Sequence, residues 1–280
     1  MTLHVYGDLV QGSDEWLAAR RGIVTASVVG QLITVGPAPA TGVACPECGA
    51  GAGAPCVSRA RKEPSPIKTV HGTRVAPPDA PPVIEVAHND TARALTTYLA
   101  AERITGWSDP VFVTNDMLRG TLDEPIARDL YSEHFAPVHE VGFMVRDFVV
   151  MNEEHSEVTF AIGYSPDGLV GDDGLIEIKS RRQKKHLATI LADQVPAENM
   201  AQIQAGLLVS GRRWCDYVSY CSGMPLWPKR VYPDEQWFDA ITDAAAQFEQ
   251  TAAHVVATYH RAVAGLPATE RIDHFADLEV

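Results

Sequence analysis

The chain has 280 residues, 46% of them hydrophobic and 21% charged, enough apolar material for one large domain with at most a small insert. No apolar run approaches the ~20 residues of a membrane span, and the N-terminus lacks a basic-then-apolar signal pattern, so a soluble cytoplasmic protein without a membrane partner is expected. The formal net charge of −13 argues against a nucleic-acid partner until its distribution is read, because a basic run gathers at Lys179, Arg181, Arg182, Lys184 and Lys185.

In chain order, the first informative stretch is QGSDEWLAARRGIVTAS, residues 11–27. Ser13 or Asp14 caps a short helix carrying Trp16, Leu17 and Arg20, and Gly22 stops it. Thr25 or Ser27 then caps a second helix running through Val28, Val29, Leu32 and Ile33. A helix N-terminus behind an arginine can receive an anion. Read by itself, the segment is an ordinary helix-turn-helix corner with Arg20 exposed.

From residue 37 to residue 82 the composition turns to Pro, Gly and Ala with little periodicity, which defines an insert in a single domain of residues 1–280. Cys45-Pro-Glu-Cys48 is a C-x2-C knuckle, Cys56 follows, and His71 lies beyond a basic linker with Arg59, Arg61, Lys62 and Lys68. Three thiolates and an imidazole complete a tetrahedral zinc shell, with His88 as the alternative fourth ligand. Such a loop has no core of its own, so the metal would fold it. Five cysteines with this spacing do not suit a secreted disulfide scaffold.

A helix is expected from Asn89 to Ile104, with Leu95, Leu99 and Tyr98 inward. A second is expected over about 115–135, with Leu118, Leu122, Ile126, Leu130 and Tyr131 at helical spacing, or starting only near Leu122 if Pro125 marks its first turn. Glu124, beside that break, is either a metal ligand or an acid placed to suit the helix dipole. Residues 138–150 and 158–163 read as strands. Further on come a helix over residues 194–211, a strand over 214–221 and a long amphipathic helix over 235–266.

Between them lies YSPDGLVGDDGLIEIKS, residues 164–180, a hairpin whose Gly-Asp-Asp-Gly linker supplies turn residues. Side chains alternate along a strand, so Glu177 and Lys179 share one face while Ile178 points to the other. Asp167, Glu177 and Lys179 then converge. A carboxylate pair holding a divalent cation beside a lysine suits phosphodiester hydrolysis, whereas the plain alternative is a surface hairpin with solvated charges.

Four motifs stand here in a fixed order: QGSDEW…R…G-x-x-TAS, RG-x-x-x-E-x-x-AR, SPDG-L…G-L-x-E-x-K and MAQ-x-Q. They resemble the lambda exonuclease and YqaJ-like viral recombinase nucleases, a branch of the PD-(D/E)XK superfamily. That resemblance implies an α/β fold, a restriction-endonuclease-like mixed central sheet flanked by helices. It also implies a Mg2+ (or Mn2+) dependent exonuclease that degrades the 5′-ended strand of linear duplex DNA, leaving 3′ overhangs for phage-type recombination. By motif, Asp167, Glu177, Glu124 and the main-chain carbonyl of Ile178 would ligate the metal, Lys179 would activate water, and Gln202 would position it. Arg20, Ser27 and Ser165 match the family's 5′-phosphate pocket, and Arg181 and Arg182 would add DNA contacts. Implied partners are a 5′-phosphorylated duplex, a single-strand annealing protein and further copies of the chain in a ring, in a bacterial host. The alternatives are an endonuclease or differently polarised nuclease of the same fold, or a non-catalytic DNA-binding or assembly protein.

Overall fold

The computed structural model describes residues 2–58, 63–110, 112–152 and 155–272. Arg59, Arg61 and Lys62 of the basic linker lie outside these. The chain opens with β1 (Leu3–Tyr6), α1 (Asp14–Arg20), β2 (Val24–Thr25), α2 (Ala26–Val29) and β3 (Ile33–Gly36). Two short strands, β4 (Val57–Ser58) and β5 (Ser65–Pro66), lie in the insert, and β6 (Val83–Val86) leaves it. Next come α3 (Asp90–Thr105), α4 (Asn115–His134), β7 (Val138–His139), β8 (Phe143–Met151) and β9 (Glu157–Tyr164). The chain continues through β10 (Gly168–Val170), β11 (Gly174–Ser180), α5 (Gln183–Ala192), α6 (Ala197–Ser210), β12 (Trp214–Tyr220), β13 (Trp227–Val231) and α7 (Glu235–Ala262).

Local chemistry sets most of the helix ends. Ser13, Asn89, Thr114 and Asp234 each accept a backbone N–H in the first turn of α1, α3, α4 and α7. Gly106 and Gly211 close α3 and α6 in the left-handed conformation. The strands form a five-stranded mixed sheet in the order β13-β12-β11-β10-β7 and a four-stranded mixed sheet in the order β1-β8-β9-β2. Within them β11 runs parallel to β12, and β2 runs parallel to β9. The chain passes from the second sheet to the first at Ser165-Pro166-Asp167, between β9 and β10, so the hairpin begins at the seam of the two sheets.

Alternation along β11 divides the core. Leu175 joins Ile203, Leu207, Cys215 and Tyr217 in the main cluster beneath α6 and α7, while Ile176 and Ile178 pack with Ala127, Tyr131 and Val218 beneath α4. Cys215 and Cys221 are buried as small apolar side chains. The insert hangs from the β3–β6 ribbon, where Gly36 pairs with Val83 and so brings residues 37 and 82 together.

Three local expectations change. The second helix stops at Val29 and gives way to a short 3-10 turn and β3, so Ile33 is a strand residue. Helix α4 is continuous from Asn115, with Pro125 inside it at an exposed position where the unbonded carbonyl of the preceding turn can meet water. Its apolar spacing misleads, because Leu118, Leu122 and Ile126 are exposed. Polar anchors set the rotation of α4 instead. Tyr131 donates from its hydroxyl to Asp216 Oδ2 at 2.6 Å, and Ser180 donates to Asp123 Oδ2 at 2.6 Å, which turns Ala127 and Tyr131 onto the sheet. Tyr98 of α3 is likewise exposed, while Leu95 and Leu99 are buried.

Candidate active site

A cleft of about 360 Å³ opens at the seam of the two sheets. Its lining includes Arg20, Ser27, Glu124, Ser165, Asp167, Glu177, Ile178, Lys179 and Gln202, drawn from five separate stretches of chain.

On the hairpin, Asp167 Oδ2 accepts the backbone N–H of Ile178 at 2.6 Å, which fixes the carboxylate across the β10–β11 pair. Glu177 is fully buried; its Oε1 accepts from Lys179 Nζ at 2.6 Å, and its Oε2 is buried with no hydrogen-bond partner among the described residues. Glu124 reaches in from α4, held by Arg128, which also donates to the Asp167 carbonyl at 2.7 Å and pairs with Glu140 at 2.7 Å. Burial, followed by the charges of Glu177 and Glu124, pushes the Asp167 carboxyl well above the usual carboxylate range. Burial also raises Glu124, with Arg128 opposing it. Desolvation works against the Lys179 ammonium, but Glu177 and Asp167 outweigh it and hold the lysine protonated. Asp167, Glu177 and Glu124 line one cleft and raise one another's cost of ionisation, and such carboxylate oxygens are the donor type a hard divalent cation takes.

The other wall is built around Trp16. Its indole N–H donates to Ser165 Oγ at 2.8 Å, and the Arg20 guanidinium lies 4.0 Å over its ring. Arg20 donates to the hydroxyls of Thr25 and Ser27, each at 3.3 Å. The turn carrying these groups is pinned from α3: Gly22 N–H donates to Glu102 at 2.7 Å, and Arg103 donates to the Gly22 carbonyl at 2.6 Å while making a double contact with Glu249. Arg20, expected to be exposed when its segment is read by itself, is therefore partly enclosed beside two hydroxyls, and burial lowers its pKa from the arginine value. These are the contacts that an incoming phosphate could take over.

The basic run divides. Arg182 is exposed and tied at 2.8 Å to Asp116, itself a residue of the cleft lining. Arg181 does not line the cleft; it turns under α6, where it donates to the Tyr217 hydroxyl and to Asn199. Its charge is engaged in packing α6 against β12, unlike the DNA contact expected for it. Arg128 and the grip of Glu102 and Arg103 on Gly22 are absent from the sequence reading, which has Trp16 only as a residue of the first helix. Trp16 and Arg128 do stand inside the quoted motifs, so the signal was present.

In the insert, ligand atoms of Cys45, Cys48, Cys56 and His71 all lie within 4.8 Å of one another, and the three thiols are buried. His88 is not in the cluster. The Cys48 thiol is brought down to about 6, first by the backbone N–H of Val57. Soft sulfur donors with one imidazole fit zinc.

Known proteins offer counterparts to this fold and to its insert. Fold and site define the class first: an α/β protein with the alkaline-exonuclease fold, carrying a D…E-x-K centre and a Cys3His zinc-type insert. The structure is similar to an alkaline exonuclease (LHK-Exo) from Laribacter hongkongensis, with 26% identity and a TM-score of 0.61, covering 91% of this chain and 100% of that one. It is also similar to LHK-Exo in complex with dAMP, at 25% identity, a TM-score of 0.61 and the same coverage. The family models point the same way: residues 79–213 match a YqaJ-like viral recombinase domain, the family the motif order resembles, and residues 11–89 match a putative DNA-binding phage zinc finger domain. No curated protein matches by sequence.

Proposed function

We propose that this chain is a divalent-metal-dependent exonuclease that enters linear duplex DNA at a 5′-phosphorylated end and degrades that strand, leaving a 3′ overhang. One observation carries the reading: a single cleft joins the Asp167–Glu177–Lys179 centre to the Arg20–Ser27–Ser165 cluster. A hydrolytic centre beside a phosphate-sized cluster of donors measures its cut from a chain end. The zinc-type insert and its DNA-binding family match favour a nucleic-acid substrate over another phosphodiester.

Asp167, Glu177, Glu124 and the Ile178 carbonyl would hold a magnesium or manganese ion, which when bound supplies Lewis acidity toward the phosphodiester. Lys179 is positioned to exchange a proton with water, and the bias of Glu177 and Asp167 toward its protonated form would weaken if those carboxylates held a cation. Gln202 from α6 borders the same space and can orient that water through its amide. Arg20, with Ser27 and Ser165, would grip the terminal phosphate and set the register of the cut. The ring of subunits, the annealing partner for the overhang and the bacterial cytoplasmic setting of a phage-type enzyme rest on the family resemblance.

The test uses duplexes of one sequence with magnesium: linear 5′-phosphorylated, linear 5′-hydroxyl and covalently closed circular. Fast loss of the first, slower loss of the second and survival of the third are expected. Cleavage of circles would instead favour the endonuclease reading, and equal rates on both linear ends would remove the phosphate pocket.

A further inference from the structure

Arg74 is 1% exposed, a fully buried charged side chain inside the insert. Its guanidinium reaches five acceptors: Nε donates to the Val43 carbonyl at 2.8 Å, Nη1 to the Ala54 carbonyl at 2.8 Å and Cys56 Sγ at 3.4 Å, and Nη2 to the Thr41 and Gly51 carbonyls at 2.9 Å each. No carboxylate among the described residues pairs with it. A buried cation surrounded only by neutral carbonyls is costly unless an anion stands close by. The candidate anion here is the cysteine cluster, for zinc with three thiolates and a neutral imidazole carries one net negative charge.

We infer that Arg74 is the built-in counter-charge and positioning residue of the zinc centre, donating to the Cys56 sulfur while its carbonyl contacts draw the loop around the ligands. The inference rests on the zinc reading of the four ligands. The backbone supports the arrangement, since Arg74 N–H donates to the His71 carbonyl at 2.9 Å, so one turn delivers both an imidazole and the guanidinium to the same small core. A hydrogen-bonded, charge-compensated thiolate gives less electron density to its surroundings and is a weaker nucleophile. Arg74 thus makes the centre more inert, in addition to helping to shape it.

The experiment compares the full-length wild type with Arg74→Lys and Arg74→Gln, each loaded with cobalt(II) and separately with zinc. One metal per chain is expected in the wild type. Loss of the N–H···S donor should move the sulfur-to-cobalt charge-transfer band to longer wavelength, and should speed alkylation of the zinc-bound thiols by about tenfold, the scale of one hydrogen bond to a charged group. A residue that only stitched the loop would leave the spectrum of the bound metal unchanged. Metal-loaded variants with the wild-type band and alkylation rate therefore overturn the inference. A wild type loaded with NMR-active cadmium gives a second reading that does not depend on either variant folding. Coupling between the Arg74 guanidinium protons and cadmium through the Cys56 sulfur is expected, and resolved Arg74 protons without that coupling overturn the contact. Wild-type protein that takes up no metal is a different failure, removing the zinc reading and this inference with it.

Discussion

Trp16 and Ser165, 149 positions apart in the chain, meet through a 2.8 Å hydrogen bond from the indole N–H to the serine hydroxyl. That contact joins the first motif to the hairpin motif. It also links the phosphate-binding candidates, because Arg20 stacks on the same indole. Trp16→Phe keeps a ring under Arg20 but releases Ser165, so the preference for 5′-phosphorylated over 5′-hydroxyl ends should fall several-fold. Arg20→Ala removes the charged donor itself. The loss of a charge-assisted contact of about 1.5–3 kcal/mol should lower that preference by roughly 10- to 100-fold. Rates on the two ends, measured side by side, check both variants.

Lys179 and Glu177 should separate turnover from binding. Lys179→Ala and Glu177→Gln are expected to lower kcat by about a hundred- to ten-thousand-fold, the range of a positioned proton-transfer group or metal ligand. Duplex affinity in a gel-shift assay should remain near wild type. A rate in magnesium equal to that of the wild type for either variant would end the catalytic assignment.

Asp167 carries a stability signature with a definite sign. Its folded pKa is raised, so its contribution to stability is fully present below the unfolded carboxyl value and is lost as pH rises through the folded one. Asp167→Asn keeps an acceptor for the Ile178 N–H and removes the charge. In magnesium-free buffer with zinc retained, the variant should melt a few degrees above wild type at neutral pH, and the gap should close on acidification. Magnesium should raise the wild-type Tm and leave the variant less affected.

Gly22 has φ +67°, and an added Cβ would lie 2.5 Å from Arg103 Cγ. Gly22→Ala should therefore cost about 1–3 kcal/mol in denaturant unfolding, combining backbone strain with displacement of the Arg103–Glu249 clamp. The turn bearing Arg20 and Thr25 should shift with it. A drop in 5′-phosphate preference beyond the stability loss is the expected sign.

Cys45→Ser combined with Cys48→Ser should release about one zinc per chain, the content of a single four-ligand site. The insert should then become open to protease between residues 37 and 82, and DNA affinity at moderate salt should weaken. Hydrolysis itself should persist, since none of the cleft residues belongs to the insert.

Much of the site was legible in the chain because its chemistry is local. A hairpin turn places Asp167 against Ile178, strand alternation puts Glu177 and Lys179 on one face, and C-x2-C is a knuckle in one turn of backbone. The cap at Ser13 was legible for the same reason, through a bond within three residues, and Asn89, Thr114 and Asp234 start α3, α4 and α7 by the same local chemistry. What remained open depended on groups far apart in sequence. The rotation of α4 is decided by Tyr131 on Asp216 and Ser180 on Asp123, so an apolar stripe at Leu118, Leu122 and Ile126 ends up facing outward. Arg181 and Arg182 are neighbours in one basic run, yet only packing against Tyr217 draws the first beneath α6 while Asp116 ties the second at the surface. Nothing in the spacing of the insert marks Arg74; its burial comes from carbonyls at Thr41, Val43, Gly51 and Ala54 that converge only when the insert closes. Periodicity and spacing report which residues are near along the chain, whereas the pairing of a buried charge is settled by what the fold brings to it.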